Sequence, residues 1–385
     1  MKEVRVSAAN QVKMANTGAA AGMPAQHRHD FEGRARMDSV RFAVIGCGNI
    51  SQAHVHAIQR TEGASLAAVV DIAEPRAREV ANRTGCRWYT SLEALLNDSI
   101  TIDAVSICTA SGLHMEPAMQ AASAGKHVLV EKPLETTVER CNAIIRACEE
   151  NNVLLGGVFQ SRFFPGNLLV KRAAASGAFG RLLLGEAAVK WFRPKNYFTS
   201  AGWRGTWRFD GGGALMNQGI HQVDLLQWIM GPVASVHATT RRMVHESIEV
   251  EDLAVALLQF TNGAVGVVEA STAIMPGYPK RLEIHGSDGG AIVEDDIILQ
   301  STGITEGPEL LSAQQKQVQT STFSDPMAMS FAGHERQVAD FVQAIRSGGT
   351  PIVTGREARK AVEIVTAVYE SARTGKTVEL NTGSH

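Results

Sequence analysis

The stretch Arg41-Phe42-Ala43-Val44-Ile45-Gly46-Cys47-Gly48-Asn49-Ile50-Ser51 decides how the chain is read. Phe42 to Ile45 is a short apolar run that stops abruptly at Gly-x-Gly, and a helical pattern follows from Ser51 to about Arg60. Strand, glycine turn and helix, in that order, build a cradle for a pyrophosphate. Gly46 permits the tight turn, Gly48 has no Cβ to hold a phosphate away, and the N–H groups that open the helix, around Asn49 and Ile50, point at the anion. Ser51 stands where a third glycine is usual. Ordinary turns also contain Gly-x-Gly, so the motif needs a second strand ending in an acid about 20 residues further on. Leu66-Ala67-Ala68-Val69-Val70, ending at Asp71, supplies it. A carboxylate there accepts hydrogen bonds from both hydroxyls of an adenosine ribose and repels a 2′-phosphate, which favours NAD. Arg76 is near enough to meet such a phosphate, so NADP stays open.

Outward from this unit, strands and helices alternate as far as Phe159, the pattern of a parallel sheet covered on both faces. After Gln160 long strand-like runs dominate, among them Leu182 to Val189, Val233 to Arg241, Leu253 to Phe260 and Ala264 to Ser271, with turn signals such as Thr261-Asn262-Gly263 between them. That is the pattern of a mostly antiparallel sheet. The expected organisation is a flexible extension over 1–38, a doubly wound α/β Rossmann domain over 39–159, and a mostly antiparallel α+β domain over 160–385. Residues 301–330, rich in Gln, Ser and Thr, read as a loop. Met37 stands just before the first strand as a second candidate start.

The 385 residues allow two domains and a large core. A net charge of −2 gives no pull toward nucleic acid or an anionic membrane, and no apolar run approaches the roughly 18 residues of a membrane helix. The five cysteines are odd in number and none is at metal-ligand spacing, so a reducing cytoplasm is the expected setting and no metal site is expected.

Ligands of an open parallel sheet bind beyond the carboxyl ends of its strands. The groups expected there are Gly46, Gly48, Asp71, Thr109, Glu131 with Lys132, and Gln160. Lys132, between Glu131 and Pro133, emerges at the rim of the sheet. Partial burial would lower its pKa toward neutrality, while Glu131 would keep it charged. A second candidate group follows Gly211-Gly212-Gly213, where Asn217, His221, Asp224 and Trp228 recur at i, i+4, i+7 and i+11 and so share one face of an otherwise apolar helix. That stripe faces either a pocket or a buried polar partner. The segments Trp191 to Tyr197 and Trp203 to Arg208 mix aromatics with Arg and Lys, which suits stacking on a sugar and pairing with an anion. Lys132, Arg162, Trp203, Arg204, Asn217, His221 and Asp224 are the candidate substrate contacts.

Taken together, Ala43 to Ile50, Glu131-Lys132-Pro133, Gly212 to Leu225 and the closing Asp340-Phe341 and Ala344-Ile345 segment resemble the Gfo/Idh/MocA oxidoreductases, over about Ser39 to Leu380. The resemblance implies a Rossmann domain followed by an open-sheet domain that is often the oligomer contact, as a homodimer or homotetramer. It implies Lys132 and His221 as the catalytic lysine and histidine. In many members the position of Asn217 is an aspartate, which leaves Lys132 or His221 as the proton carrier here. Thr109-Ala110-Ser111-Gly112-Leu113-His114 is similar to the family's Thr-Pro…His turn, which adds His114 to the cofactor set. The run from Arg204 to His221 also looks like members that oxidise the 3-hydroxyl of nucleotide-linked sugars.

The expected function is oxidation of a secondary hydroxyl of a sugar, cyclitol or nucleotide-linked sugar by hydride transfer to nicotinamide. The alternatives are a non-catalytic NAD(P)-binding sensor and a glycosidase that oxidises and re-reduces its sugar.

Overall fold

A computed structural model describes residues 39–200, 202–305 and 331–380. The extension over 1–38, Met37 and most of the 301–330 loop lie outside the described residues.

Strand β1 (Val40–Ile45) is almost wholly buried, as a central strand of a two-faced sheet must be. It is flanked by β2 (Ala64–Val70) and β4 (Ala104–Ile107), with β3 (Arg87–Tyr89) outside β2, and β5 (His127–Val130) and β6 (Leu155–Gly157) outside β4. The order β3-β2-β1-β4-β5-β6 is parallel throughout. Helices α1 (Ser51–Arg60), α2 (Glu74–Thr84), α3 (Leu92–Leu96), α4 (Met115–Ser123) and α5 (Val138–Glu150) make the crossovers. Ser51 is buried and donates its hydroxyl to Gly48 O at 2.6 Å. A small residue therefore suffices in place of the third glycine, because its polar atom is satisfied inside the turn.

After α6 (Pro165–Ala175) the chain enters an eight-stranded sheet. Its strands are β7 (Leu182–Lys190), β8 (Val233–Arg241), β9 (Leu253–Phe260), β10 (Val265–Ser271), β11 (Arg281–Gly286), β12 (Gly290–Glu294), β13 (Ile297–Thr302) and β14 (Val378–Glu379). The order is β13-β12-β11-β7-β10-β9-β8-β14, and only β7 with β10 is parallel. One face is covered by α8 (Ile220–Met230) and the helix Gly355–Thr374. The other face leaves Val255, Leu257 and Val265 exposed.

The helices Ala332–Ser347 and Gly355–Thr374 belong partly to the first sheet, although they lie far beyond it in sequence. Gly157 N donates to Val353 O at 3.0 Å, Gly156 pairs with Thr354, and Gln337 Nε2 donates to Gly157 O at 2.6 Å. Gly157 makes the approach possible, since a Cβ there would stand 2.3 Å from the Cβ of Ala358.

Candidate active site

The glycine turn is knitted to the second strand by Asp71. Its Oδ2 accepts from Cys47 N and its Oδ1 from Ala73 N, both at 2.8 Å. Gly46 has φ +94°, and a Cβ there would meet Cys108 O at 2.8 Å, so the sharp turn and the close packing both demand glycine. Gly48 is different: nothing lies within 4 Å of where its Cβ would be. Helix α1 begins without a side-chain cap and with no acid in its first turn. An open space beside Gly48 and an uncapped positive helix end fit the pyrophosphate of a dinucleotide. Ile72, directly after Asp71, is 94% exposed and offers an apolar surface at this rim that the sequence reading missed.

At the end of β5, Lys132 is half-buried and donates from Nζ to the backbone carbonyl of Asn217 at 2.8 Å. The Lys132–Pro133 peptide is cis. Burial lowers the pKa of Lys132, the charges of Glu131 and Asp210 oppose that shift, and Arg204 adds to it. Asn217 does not sit on a regular α-helical face. Ala214–Gly219 forms a π-helical turn ahead of α8, and Glu251 fixes its start by accepting from Gly213 N at 2.8 Å and Leu215 N at 2.9 Å. The wider turn breaks the expected stripe into separate environments. Asn217 Nδ2 donates to Asp210 Oδ1 at 2.6 Å. His221 packs edge-on against Phe159, with ring centroids 5.8 Å apart, and its Nδ1 is buried without a partner. Burial, helped by Lys132 and Lys280, pushes the His221 pKa well below the usual value, so the ring is neutral at physiological pH.

Asp224 takes the alternative that its stripe left open, the buried partner. Arg162 and Asp224 form a bidentate pair, Nη2 to Oδ1 at 2.6 Å and Nε to Oδ2 at 2.7 Å, with both side chains 0% exposed. Arg162 Nη1 also reaches Glu357 Oε2 at 3.2 Å, and its guanidinium lies 5.1 Å from the Trp228 ring centre. Arg162 and Asp224 were expected to touch substrate. The structure instead spends their polar atoms on one another, joining the segment after β6 to α8 and the helix Gly355–Thr374.

Two residues expected at the cofactor, His114 and Glu131, also have partners within the fold. His114 is wholly buried, with its ring nitrogens 3.0 Å from Pro133 O and 3.2 Å from Thr109 O. It braces the Thr109 turn against the strand end. Glu131 is 5% exposed and its oxygens face inward, Oε2 accepting Lys132 N at 3.0 Å and Oε1 lying 2.7 Å from His54 Nε2 and 3.5 Å from His334 Nε2. Burial alone would raise the Glu131 pKa, but His334 and His54 hold it well below the carboxylate range. Ser106 Oγ meets His54 Nδ1 at 2.6 Å. His54, Glu131 and His334 come from α1, β5 and the helix Ala332–Ser347, so no local spacing in the sequence could reveal the cluster. Ligand atoms around a tetrahedral zinc ion stand about 3.4 Å apart at bond lengths of about 2.0–2.2 Å. The 2.7 Å contact is a direct hydrogen bond, so this is a polar network tying α1 and the helix Ala332–Ser347 to the end of the strand that leads to Lys132.

The remaining candidates, Thr109, Gln160, Trp203 and Arg204, are partly exposed. The Thr109 hydroxyl donates to Leu113 O at 3.0 Å, and Gln160 keeps a buried Oε1 without a partner. Arg204 donates to Tyr197 O at 3.0 Å, its guanidinium lies 4.2 Å from the Tyr197 ring centre and 5.4 Å from that of Trp203, and its buried Nε has no partner. The loop carrying these aromatics is clamped to the first sheet, since Gly112 N donates to Phe209 O at 2.8 Å. A Cβ on Gly112 would stand 2.3 Å from Arg208 O. Asp210, which closes this loop, was absent from the expected set. Its only mark in the sequence is an acid placed directly before Gly211-Gly212-Gly213.

Comparison with known proteins agrees with this geometry. Residues 40–158 match the oxidoreductase family NAD-binding Rossmann fold, and residues 168–292 match the GFO/IDH/MocA C-terminal domain. The WlbA dehydrogenase from Bordetella pertussis, solved in complex with NADH and UDP-GlcNAcA, is 33% identical with a TM-score of 0.82, over 91% of this chain and 100% of that one. D-xylose 1-dehydrogenase (NADP(+)) 2 of Haloferax volcanii is 31% identical over 346 residues, 88% of this chain and 99% of that protein. Myo-inositol 2-dehydrogenase of Thermotoga maritima is 27% identical over 351 residues, 89% of this chain and 98% of that protein.

Proposed function

We propose that this chain, which belongs to the GFO/IDH/MocA oxidoreductase family and with it is an NAD(P)-dependent dehydrogenase of CH–OH groups, oxidises a secondary hydroxyl of a UDP-linked sugar acid. The observation that carries this reading is the convergence of Lys132 and a neutral His221 beside a cationic, aromatic wall of Arg204, Tyr197 and Trp203. The likeness to a UDP-GlcNAcA-bound dehydrogenase supports the sugar-acid class.

Gly46, Gly48, Asn49 and Ile50 would hold the pyrophosphate, Asp71 the adenosine ribose, and Ile72 would lie against the adenine. Bound nicotinamide supplies a hydride acceptor. The chain's own part is to take the hydroxyl proton and to orient the ring. Lys132 Nζ, anchored on the Asn217 carbonyl and partly desolvated, is the proton acceptor. His221, neutral, orients the hydroxyl by hydrogen bonding. Arg204 faces the substrate carboxylate from a guanidinium already stacked on Tyr197. With Asp71 at the ribose, NAD is the preferred cofactor.

Absorbance at the NADH band, with a panel of UDP-linked sugar acids, neutral UDP-sugars, inositols and aldoses, tests the reading. Lys132→Ala should lower turnover by about 10²–10⁴-fold with NADH binding retained. Turnover confined to inositols or free aldoses would refute the sugar-acid class, and an unchanged rate in the variant would remove Lys132 from the chemistry.

Two further parts of the proposal concern assembly and setting. Copies of the chain pair through the open face of the second sheet, where Val255, Leu257 and Val265 are exposed. Leu257→Lys should then dissociate the oligomer in sedimentation. All five cysteines are free, which fits a reducing cytoplasm. Among the described residues, no helix is long and apolar enough to cross a membrane.

A further inference from the structure

Asp210 is 2% exposed, and its carboxylate links its own loop to Asn217. Its Oδ2 accepts Gly205 N at 2.9 Å and its Oδ1 accepts Asn217 Nδ2 at 2.6 Å. The same Asn217, through its backbone carbonyl, holds Lys132 Nζ at 2.8 Å. One residue thus tethers a buried anion and a half-buried cation. The arrangement is built rather than incidental. Gly211, at φ +76°, turns the chain directly after Asp210, and a Cβ on it would stand 2.5 Å from the Thr136 methyl group. Asp210 N donates to Thr206 O at 3.1 Å, and the loop is clamped to Gly112 through Phe209.

The charged and titratable groups acting on Lys132 are Glu131, Asp210 and Arg204, and Lys132 in turn acts on His221, His334 and Asp210. Glu131 is engaged by His54, His334 and the Lys132 backbone N–H. Arg204 repels an ammonium, and His221 is neutral. Glu131 and Asp210 both favour a charge on Lys132, Glu131 the more strongly, and Asp210 is the one joined to Lys132 through Asn217. Lys132 and Arg204 favour its ionised form, against burial, which pushes its pKa up to about 6.

We infer that Asp210 is a positioning residue for Lys132, stabilising the ammonium that forms when the amine takes the substrate's hydroxyl proton, with Asn217 holding the two groups in register. The inference rests on the proposed reaction. In that step the O–H bond breaks toward Lys132 Nζ, the C–H electron pair leaves as hydride to the nicotinamide, and Asp210 stays ionised throughout.

The test is Asp210→Asn, alone and combined with Asn217→Asp, which puts a carboxylate on the residue whose backbone carbonyl holds Lys132 Nζ. Two readouts are compared across pH. One is kcat and KM for the sugar that turns over. The other is acetylation of Lys132 by limiting acetic anhydride, followed by peptide mass spectrometry, which needs no substrate. Losing the anion disfavours the ammonium, so the rise of kcat/KM with pH and the rise of Lys132 labelling should both move down by about one pH unit. The single variant should lose kcat more than it changes KM. The double variant should bring both curves back toward wild type. NADH binding and the thermal midpoint report that each variant is folded. A drop in kcat with both pH curves unmoved would make Asp210 a loop brace and overturn the inference, as would an unaltered rate. A wild-type protein silent on every sugar would refute the proposed reaction, while a labelling shift in the variant would still uphold the Asp210–Lys132 pairing.

Discussion

Replacing Arg162 by leucine separates a structural ion pair from a substrate contact. The guanidinium makes two bonds to Asp224, at 2.6 and 2.7 Å, and one to Glu357 at 3.2 Å, and both Arg162 and Asp224 side chains are 0% exposed. Leucine removes all three bonds and leaves the Asp224 carboxylate buried without its cation. Glu357 still has Lys360 beside it. Breaking a buried pair from one side costs about 3–5 kcal/mol, mostly the penalty on the orphaned charge. At about 2–4 °C per kcal/mol for larger domains, Tm should fall on the order of 10 °C. Arg162→Leu with Asp224→Leu removes the orphan and should recover most of that loss. Thermal unfolding followed by circular dichroism at neutral pH, for wild type and both variants, is sufficient. If Arg162→Leu melts within a degree or two of wild type while KM for the sugar rises sharply, the guanidinium faces the ligand and the ion-pair account is wrong.

Asp71→Ala should weaken NAD binding and narrow the preference over NADP, measured by titrating NADH and NADPH fluorescence; equal loss for both cofactors would deny Asp71 a part in selectivity. Burial pushes the Glu251 pKa from 4.5 up to about 7, so the folded protein holds that proton more tightly than the unfolded chain does. Its contribution to stability should be greatest at low pH and decline as pH rises from about 4.5 through about 7. The slope of Tm against pH should be flatter in Glu251→Gln, and an identical slope would assign the dependence to other groups. Gly213→Ala places a Cβ 1.7 Å from Glu251 O. It should displace the π-helical turn and lower kcat at least tenfold with NADH affinity kept, and full activity would show that the turn can yield.

Residues that belong to a fixed sequence pattern could be singled out before the structure. Gly46, Gly48 and Asp71 carry their meaning in spacing, and Lys132 is marked by the strand before it and the proline after it. The two-sheet architecture follows from the change of period near Gln160, because buried parallel strands and half-exposed antiparallel ones have different residue patterns. What could not be read depended on pairing across the chain. Arg162 and Asp224 have the composition of substrate contacts and lose that role only by meeting each other. Asn217 was placed on the His221 face by assuming α-helical spacing, and a π turn has a different period. Asp210 is marked only by the three glycines after it, and its contact with Asn217 arises from the folding of its loop.

The return of the chain's end to the first sheet sets an order of events during synthesis. The edge strand β6 finds the partners of Gly156 and Gly157 in Val353 and Thr354. These are made roughly 200 residues later, on the order of 10–40 s after β6 at cellular rates of chain growth. Until then the nascent nucleotide-binding half lacks the two helices that cover this edge and that bring His334 to Glu131. A ribosome-bound chain stopped after β6 should expose an open sheet edge and bind dinucleotide weakly, so competence for the cofactor arrives only when the last helix leaves the exit tunnel.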